Sequence, residues 1–419
     1  MNAVEQYIYD NIDDCTKVNR EDEGTLIGLP YPYSVPSVGF FDEMYYWDTY
    51  FFNQGLKIAG RHRQVKNNTD NMLYLVRRYG FMPNGNRTSF LKNSQPPFLS
   101  MMVYDVYNYS RDKVWLADAY SALKTEHRFW MDHRLAAIGL NRYGHNTIPK
   151  EDIDGTYQYF VGRIGYHPNL TPADAVSEFH RMCESGWDLN PRWGLDGKDF
   201  VQVDLNALMY QFEKNMAYFS KELEYGEDAA WIGSAESRKM RMQQLMKGAD
   251  GVYLDYNEKL QTRSSVFSAA SFYPLFVGLA DEEEAVATVR QLPRLESAFG
   301  ILTCEENEEK GIFQWDYPNG WACLQYIVVM ALDRYGYRED AVRIAKKYVD
   351  LVENVYEETH NLWEKYNVIE GSCNAASSLK TPPMLGWTAG CYLALKRYIE
   401  KIKHGQSKDE QKEQKKEKL

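Results

Sequence analysis

Apolar positions recur at helical spacing over most of this chain. Between Val201 and Met216 they fall at three- and four-residue steps, and between Ala341 and Val352 they do so again beneath a charged outer face. The same periodicity predicts helices near 42–60, 64–80, 97–110, 113–137, 201–224, 227–247, 281–292, 320–335, 338–357 and 385–403. No alternating run is long enough to build a sheet core, so the expected fold class is all-α. Helix pairs return at intervals of roughly 30–40 residues, the spacing of a helical toroid or repeat array, although no self-similarity accompanies it.

The segments between these helices are long and rich in glycine, proline and aromatic residues: 26–42, 81–98, 138–173, 181–200 and 358–384. Long connectors in a compact domain tend to carry function. Segment 138–173, with Gly144, Gly155, Gly162 and Gly165 beside Tyr157, Tyr159 and Phe160, reads as a candidate lid or as an ordered extension packed on the barrel. No Ser/Gly linker divides the chain, so 1–403 reads as one domain. Residues 404–419 are mixed in charge and nearly devoid of apolar side chains, and read as a disordered tail or a frayed helix end.

Composition narrows the function. The 419 residues carry a net charge of −11, which argues against a nucleic-acid partner. The start lacks a basic, apolar leader, and no stretch approaches a membrane span. The six cysteines are scattered without CxxC spacing and read as free thiols, so a cytoplasmic location is expected. Phosphate-binding glycine loops, a GxSxG elbow and HExxH are all missing, and the eight histidines are dispersed, so no metal and no organic cofactor is expected. His180 reads as structural. Nothing in the sequence signals an oligomeric state.

Aromatics reach 14 %, with 32 Tyr and 10 Trp, a composition suited to stacking on sugar rings. Three Trp-Asp pairs stand far apart in sequence: Trp47-Asp48, Trp187-Asp188 and Trp315-Asp316. Glycosidic hydrolysis needs two carboxyls, one protonated by burial against apolar surroundings and one ionised. Asp48, Asp188, Asp316 and Glu364 (beside Trp363) all fit that description, and composition does not rank them. In the polar loop 83–97, Arg87 and Gln95 are candidates to grip hydroxyls or a carboxylate. Tyr253–Tyr256 reads as pocket lining or a surface turn.

Together these segments resemble the α,α-trehalases of glycoside hydrolase family 37 and the neighbouring α-glycosidases of family 63. Gln314-Trp-Asp-Tyr-Pro-Asn-Gly-Trp-Ala322 is similar to one trehalase signature almost letter for letter, and Phe41–Tyr50 looks like the other. Ser94–Pro97, Glu184–Asp188, Val203–Ala207 and Glu364–Tyr366 follow in the family's order. The resemblance runs from about residue 39 to 390. It implies an (α/α)6 barrel with long loops around the active site, and an inverting, exo-acting α-glycosidase. By motif position it implies Asp188 as general acid and Glu364 as general base. Substrate contacts would come from Tyr46, Trp47, Asp48, Arg87, Gln95, Glu184, Trp187, Gln314, Trp315, Asp316, Asn319 and Trp387.

The chain also departs from that pattern. The arginine expected before the first signature is missing from Ser37–Phe40, and the one expected before Ser-Gln-Pro-Pro is replaced by Asn93. Arg181 lies one position off its expected spacing. The late Gly-rich Glu-Tyr-Pro loop is replaced by Gly371–Pro383. The expected substrate is a small carbohydrate, a trehalose-like α-glucoside. The alternative is mannosylglycerate or glucosylglycerate, whose carboxylate would be received by Arg87, Lys92, Arg163 or Lys380. A sugar epimerase, which would use a His pair, and an inactive sugar-binding protein are the remaining readings.

Overall fold

The computed structural model describes every residue except Lys310, Leu379, Met384 and 417–419, together with the side chains of 405–416. Helices dominate: α1 (Ala3–Asn11), α2 (Tyr46–Ile58), α3 (His62–Tyr79), α4 (Leu99–Ser110), α5 (Lys113–His133), α6 (Ile153–Ile164), α7 (Pro172–Glu184), α8 (Val203–Glu222), α9 (Asp228–Leu245), the single turn α10 (Tyr273–Phe276), α11 (Glu282–Val289), α12 (Ala322–Arg334), α13 (Arg338–Thr359) and α14 (Gly386–Lys416). Each helix predicted from periodicity has its counterpart here, with ends shifted by a few residues, except that α14 continues to Lys416 through most of the segment read as a tail. Most of the expected charged tail, 404–419, has side chains outside the described residues.

The helices pack in a closed circuit. α2 packs on α3, α3 on α4 and α5, α4 on α8, α8 on α9 and α10, α10 on α12, and α12 on α13 and α14; α14 then returns to α2. That closure is what the expected toroid requires. At the α14–α2 seam two backbones touch. A Cβ on Gly55 would lie 2.6 Å from Gly390 Cα, and one on Gly390 would lie 2.2 Å from the Phe51 carbonyl. Only glycine at both positions permits that approach. One large apolar cluster fills the circuit. No helix among the described residues is long and apolar enough to cross a membrane.

Three of the longer helices, α1, α6 and α7, lie outside the segments with helical periodicity. α1 starts at a capping box, in which the Asn2 side chain accepts from the Glu5 amide and the Glu5 carboxylate accepts from the Asn2 amide. α7 starts at Thr171, whose hydroxyl accepts from the Asp174 amide, followed by Pro172 at the first helical position. α6 occupies much of the candidate lid segment and packs on α7. Phe160 and Ile164 of α6 join Ala175 and Met182 of α7 in a satellite core with Leu189, Trp193, Phe200 and Phe313. This hairpin is an ordered wall rather than a structureless loop.

The strands are short: β1 (Thr16–Lys17), β2 (Tyr33–Ser34), β3 (Phe200–Val201), β4 (Tyr256–Asn257), β5 (Thr262–Arg263), β6 (Asn319–Trp321) and β7 (Lys365–Asn367). One pairing positions the site. β6 runs antiparallel to β7 with Trp321 opposite Lys365 and Asn319 opposite Asn367. The 311–321 segment and the 364–367 segment are thereby hydrogen-bonded neighbours.

Candidate active site

Connectors at one end of the circuit surround a cavity of about 560 Å³, a size suited to a small ligand. Its walls include Asp48, Asp188 and Glu364, the aromatics Tyr45, Trp47, Trp315, Trp321 and Trp387, and the amides Gln95 and Gln314. Carboxyls far apart in sequence thus share one enclosure.

Tryptophans form its apolar frame. Trp315 stacks on Trp321 with ring centroids 3.7 Å apart and planes within 2°. Trp187 stacks on Trp315 at 5.5 Å. Trp387 stands edge-on to Trp47, Trp315 and Trp321 at 6.0, 6.0 and 5.6 Å. Gly186 lets this frame close on the segment that carries Asp188. Its φ is +71°, and a Cβ there would meet the Trp47 ring at 2.6 Å.

Each carboxyl is held differently. Asp188 leaves the C-terminal end of α7, and its Oδ2 accepts from Gln314 Nε2 at 2.9 Å. Burial raises the Asp188 pKa, the Arg163 guanidinium opposes that rise, and Glu364 adds to it. A hydrogen bond from the Asp188 backbone amide also favours the ionised carboxylate. Asp48 stands in the first turn of α2. Burial, reinforced by the charges of Glu364 and Asp188, pushes it up to about 8, against the pull of its backbone hydrogen bond. Glu364 precedes β7 and forms an ion pair with Lys365, a nearly inaccessible lysine whose ammonium also lies 4.9 Å from the Trp321 ring. The Trp387 indole N–H donates to the Glu364 carbonyl at 3.0 Å. The sequence gives Lys365 no role, yet its buried ammonium is the positive charge that Glu364 meets.

The other expected contact residues divide sharply. Trp47, Asp48, Gln95, Gln314, Trp315 and Trp387 line the cavity with Asp188 and Glu364. Gln95 Oε1 accepts from the Trp47 amide at 3.2 Å, which leaves its amide nitrogen as a donor. Tyr46, Arg87, Glu184, Trp187, Asp316 and Asn319 are not among the lining residues. The Tyr46 hydroxyl donates to Glu126 and accepts from the Leu99 amide. Arg87 is spent on Glu43 and the Thr25 hydroxyl. Glu184 is fully buried, bound by both Arg134 Nε at 2.7 Å and Nη2 at 2.8 Å and by the Ser94 and Gly144 amides. Trp187 lies behind Trp315 with the Arg192 guanidinium 4.5 Å from its ring. Asp316 accepts from Asn307 Nδ2 and the Tyr317 amide, and burial lifts it to about 6. Asn319 Nδ2 donates to the Gln314 and Ala376 carbonyls, pinning the 311–321 segment to the late loop. None of these six side chains lines the cavity, and each is engaged elsewhere in the fold. Asp255, in the segment read as lining or a turn, is buried in an ion pair with Arg192, which also binds Asp204.

Several lining residues go beyond the expected contacts. Gly155, Thr156 and Tyr159 close one side from α6 together with Arg163, joined by Phe179, His180 and Cys183 of α7. Of the four cations considered for a carboxylate, Arg163 and Lys92 reach the cavity; Lys92 is paired with Asp152 at 2.5 Å, and Lys380 is exposed outside the lining. All six cysteines are free. Among the described residues no cluster of three or more His, Cys, Asp or Glu side chains could hold a metal ion.

Comparison with known proteins agrees with this architecture. The chain matches the trehalase family over residues 2–399. It is 32 % identical over 406 residues to a periplasmic trehalase of Xanthomonas campestris pv. campestris strain B100, covering 91 % of this chain and 70 % of that protein. Among solved structures it superposes on the neutral trehalase Nth1 of Saccharomyces cerevisiae with a TM-score of 0.75 at 27 % identity, covering 95 % of this chain and 80 % of that one. A GH63 mannosylglycerate hydrolase of Thermus thermophilus bound to glucose shares the fold at a TM-score of 0.62 and 15 % identity, covering 86 % of this chain and 95 % of that one. The chain belongs to the trehalase family and is a glycoside hydrolase.

Proposed function

We propose that this protein is an inverting, exo-acting α-glycosidase that hydrolyses a small α-glucoside of the trehalose type. The carrying observation is the convergence of Asp188 and Glu364 on one tryptophan-framed cavity. Asp188, whose pKa burial raises, gives its proton to the glycosidic oxygen as the anomeric C–O bond breaks. Glu364 takes a proton from a water on the opposite face, and that water forms the new C–O bond with inversion. Trp47, Trp315, Trp321 and Trp387 offer ring faces and edges to the sugar, while Gln95 and the neutral Asp48 hydrogen-bond its hydroxyls. The free cysteines support a reducing, cytoplasmic setting.

The test is glucose release from trehalose and from an aryl α-glucoside. Asp188→Asn and Glu364→Gln each reduce kcat by roughly 100-fold or more while the fold is retained. Full activity in both variants overturns the assignment. A second reading, hydrolysis of a glycosylglycerate, is favoured by one observation: Arg163 reaches the cavity without a carboxylate partner of its own among the described residues.

A further inference from the structure

The α6–α7 hairpin supplies one wall of the cavity, although the family signatures touch only its last turn. Two of its side chains are built as though for a partner. His180 is 8 % exposed, and its Nε2 has no hydrogen bond among the described residues. Asn93 fixes its tautomer: the Asn93 Nδ2 donates to the Ser94 carbonyl at 3.0 Å, which turns Oδ1 toward His180 Nδ1 at 3.2 Å. Nδ1 therefore carries the proton and Nε2 is a bare acceptor. Burial and the neighbouring Lys92 charge hold the imidazole neutral, with a pKa lowered to about 4. Leaving such an acceptor buried and empty is costly.

Arg163 stands on the same wall and is 7 % exposed. Its Nε donates to Ser378 Oγ at 3.0 Å and its Nη1 to the Tyr159 hydroxyl at 2.7 Å. Both acceptors are neutral, and Nη2 has no partner among the described residues. Arg163 lines the same cavity as Asp188, and its positive charge favours the ionised form of that carboxyl. In the glycosidase reading above, Asp188 faces the leaving group of a bound glycoside.

We propose that Arg163 and His180 form a donor–acceptor pair that reads the hydroxyls of an uncharged leaving group, a second sugar or a polyol. Sugar hydroxyls both give and take hydrogen bonds, so one aglycone satisfies both residues. An anionic leaving group would suit Arg163 but would confront the His180 lone pair with negative charge. The neutral Asn93–His180 couple thus stands where the family resemblance leads one to expect an arginine. This inference rests on the glycosidase reading above.

The experiment compares kcat/KM for trehalose with that for α-glucosyl fluoride, whose leaving group has no hydroxyl to read. In His180→Leu and Arg163→Met the trehalose-to-fluoride ratio falls roughly 10-fold or more. His180→Gln, whose amide oxygen can accept, recovers part of the ratio. Equal losses on both substrates indicate structural residues and overturn the proposal, as does an unchanged ratio. A wild-type preference for glucosylglycerate or a phosphorylated disaccharide over trehalose also overturns it. Wild-type protein inactive on the fluoride and on every α-glycoside overturns the glycosidase reading itself.

Discussion

Replacing Asp48 by Asn tests the electrostatics of the cavity while both proposed catalytic carboxyls stay in place. The Asp48 carboxyl titrates at about 8 in the folded protein, against 3.8 for an ordinary aspartate. A rise of about 4 pH units corresponds to about 5 kcal/mol, at 1.36 kcal/mol per unit. The sign follows from proton counting. Between about pH 4 and 8 the native state holds a proton that the unfolded chain has released, so native stability falls as pH rises, by up to about 1.4 kcal/mol per pH unit. The full contribution is present below about pH 4 and is lost as pH climbs through about 8. Asn has the same shape and does not titrate. The variant should therefore gain on the wild type as pH rises, by about 2 kcal/mol at pH 5 and about 4 kcal/mol at pH 7. Asp48 stays partly accessible, so these are upper bounds. Urea unfolding of both proteins at pH 5, 6, 7 and 8, followed by tryptophan fluorescence, measures the difference. A stability difference that does not change across that range would mean that Asp48 is ionised in the native protein, and the burial argument for this cavity would fail. At pH 7 the variant should also retain more activity than Asp188→Asn, because Asn reproduces a neutral carboxyl that only binds hydroxyls.

Other expectations follow from individual contacts. Glu184→Gln leaves Arg134 buried without its carboxylate and destabilises by about 3–5 kcal/mol, seen as a fall in thermal midpoint. Equal midpoints would mean that the Glu184 carboxylate is not what holds Arg134 in the fold. Gly186→Ala places a methyl against Trp47 at a positive φ and costs at least about 1 kcal/mol, with a drop in kcat as Asp188 is displaced. An unaffected kcat would mean that Asp188 is positioned independently of this turn. Arg163→Met removes a positive neighbour that favours ionised Asp188, so the alkaline limb of kcat/KM on an aryl α-glucoside moves to higher pH. A shift to lower pH would contradict Asp188 as the acid.

The fold was legible where burial imposes a period. α13 buries one face along its length and its sequence shows it; α8 is buried on nearly every side, yet its apolar residues still recur at helical steps. α6 did not announce itself, because only Phe160, Arg163 and Ile164 of its side chains are buried and its cavity face mixes Gly155, Thr156 and Tyr159. The start of α7 was readable from Thr171 and Pro172 as a capping signal. At the site, sequence identified the right segments but not the direction of each side chain. Asp188 and Asp316 follow tryptophans alike, yet one faces the cavity and the other turns back to Asn307. Glu184 precedes Trp187-Asp188 in the same motif, and only the fold reveals the Arg134 that claims it. Pairing of β6 with β7, which unites Trp321 with Lys365, is a long-range register that no local pattern encodes.

The most direct measurement follows the first-formed product by proton NMR. With an aryl α-glucoside as substrate, Asp188 and Glu364 acting across the cavity release β-glucose, which then mutarotates. Initial release of α-glucose would mean retention through a covalent intermediate, and the proposed division of labour between these two carboxyls would be wrong.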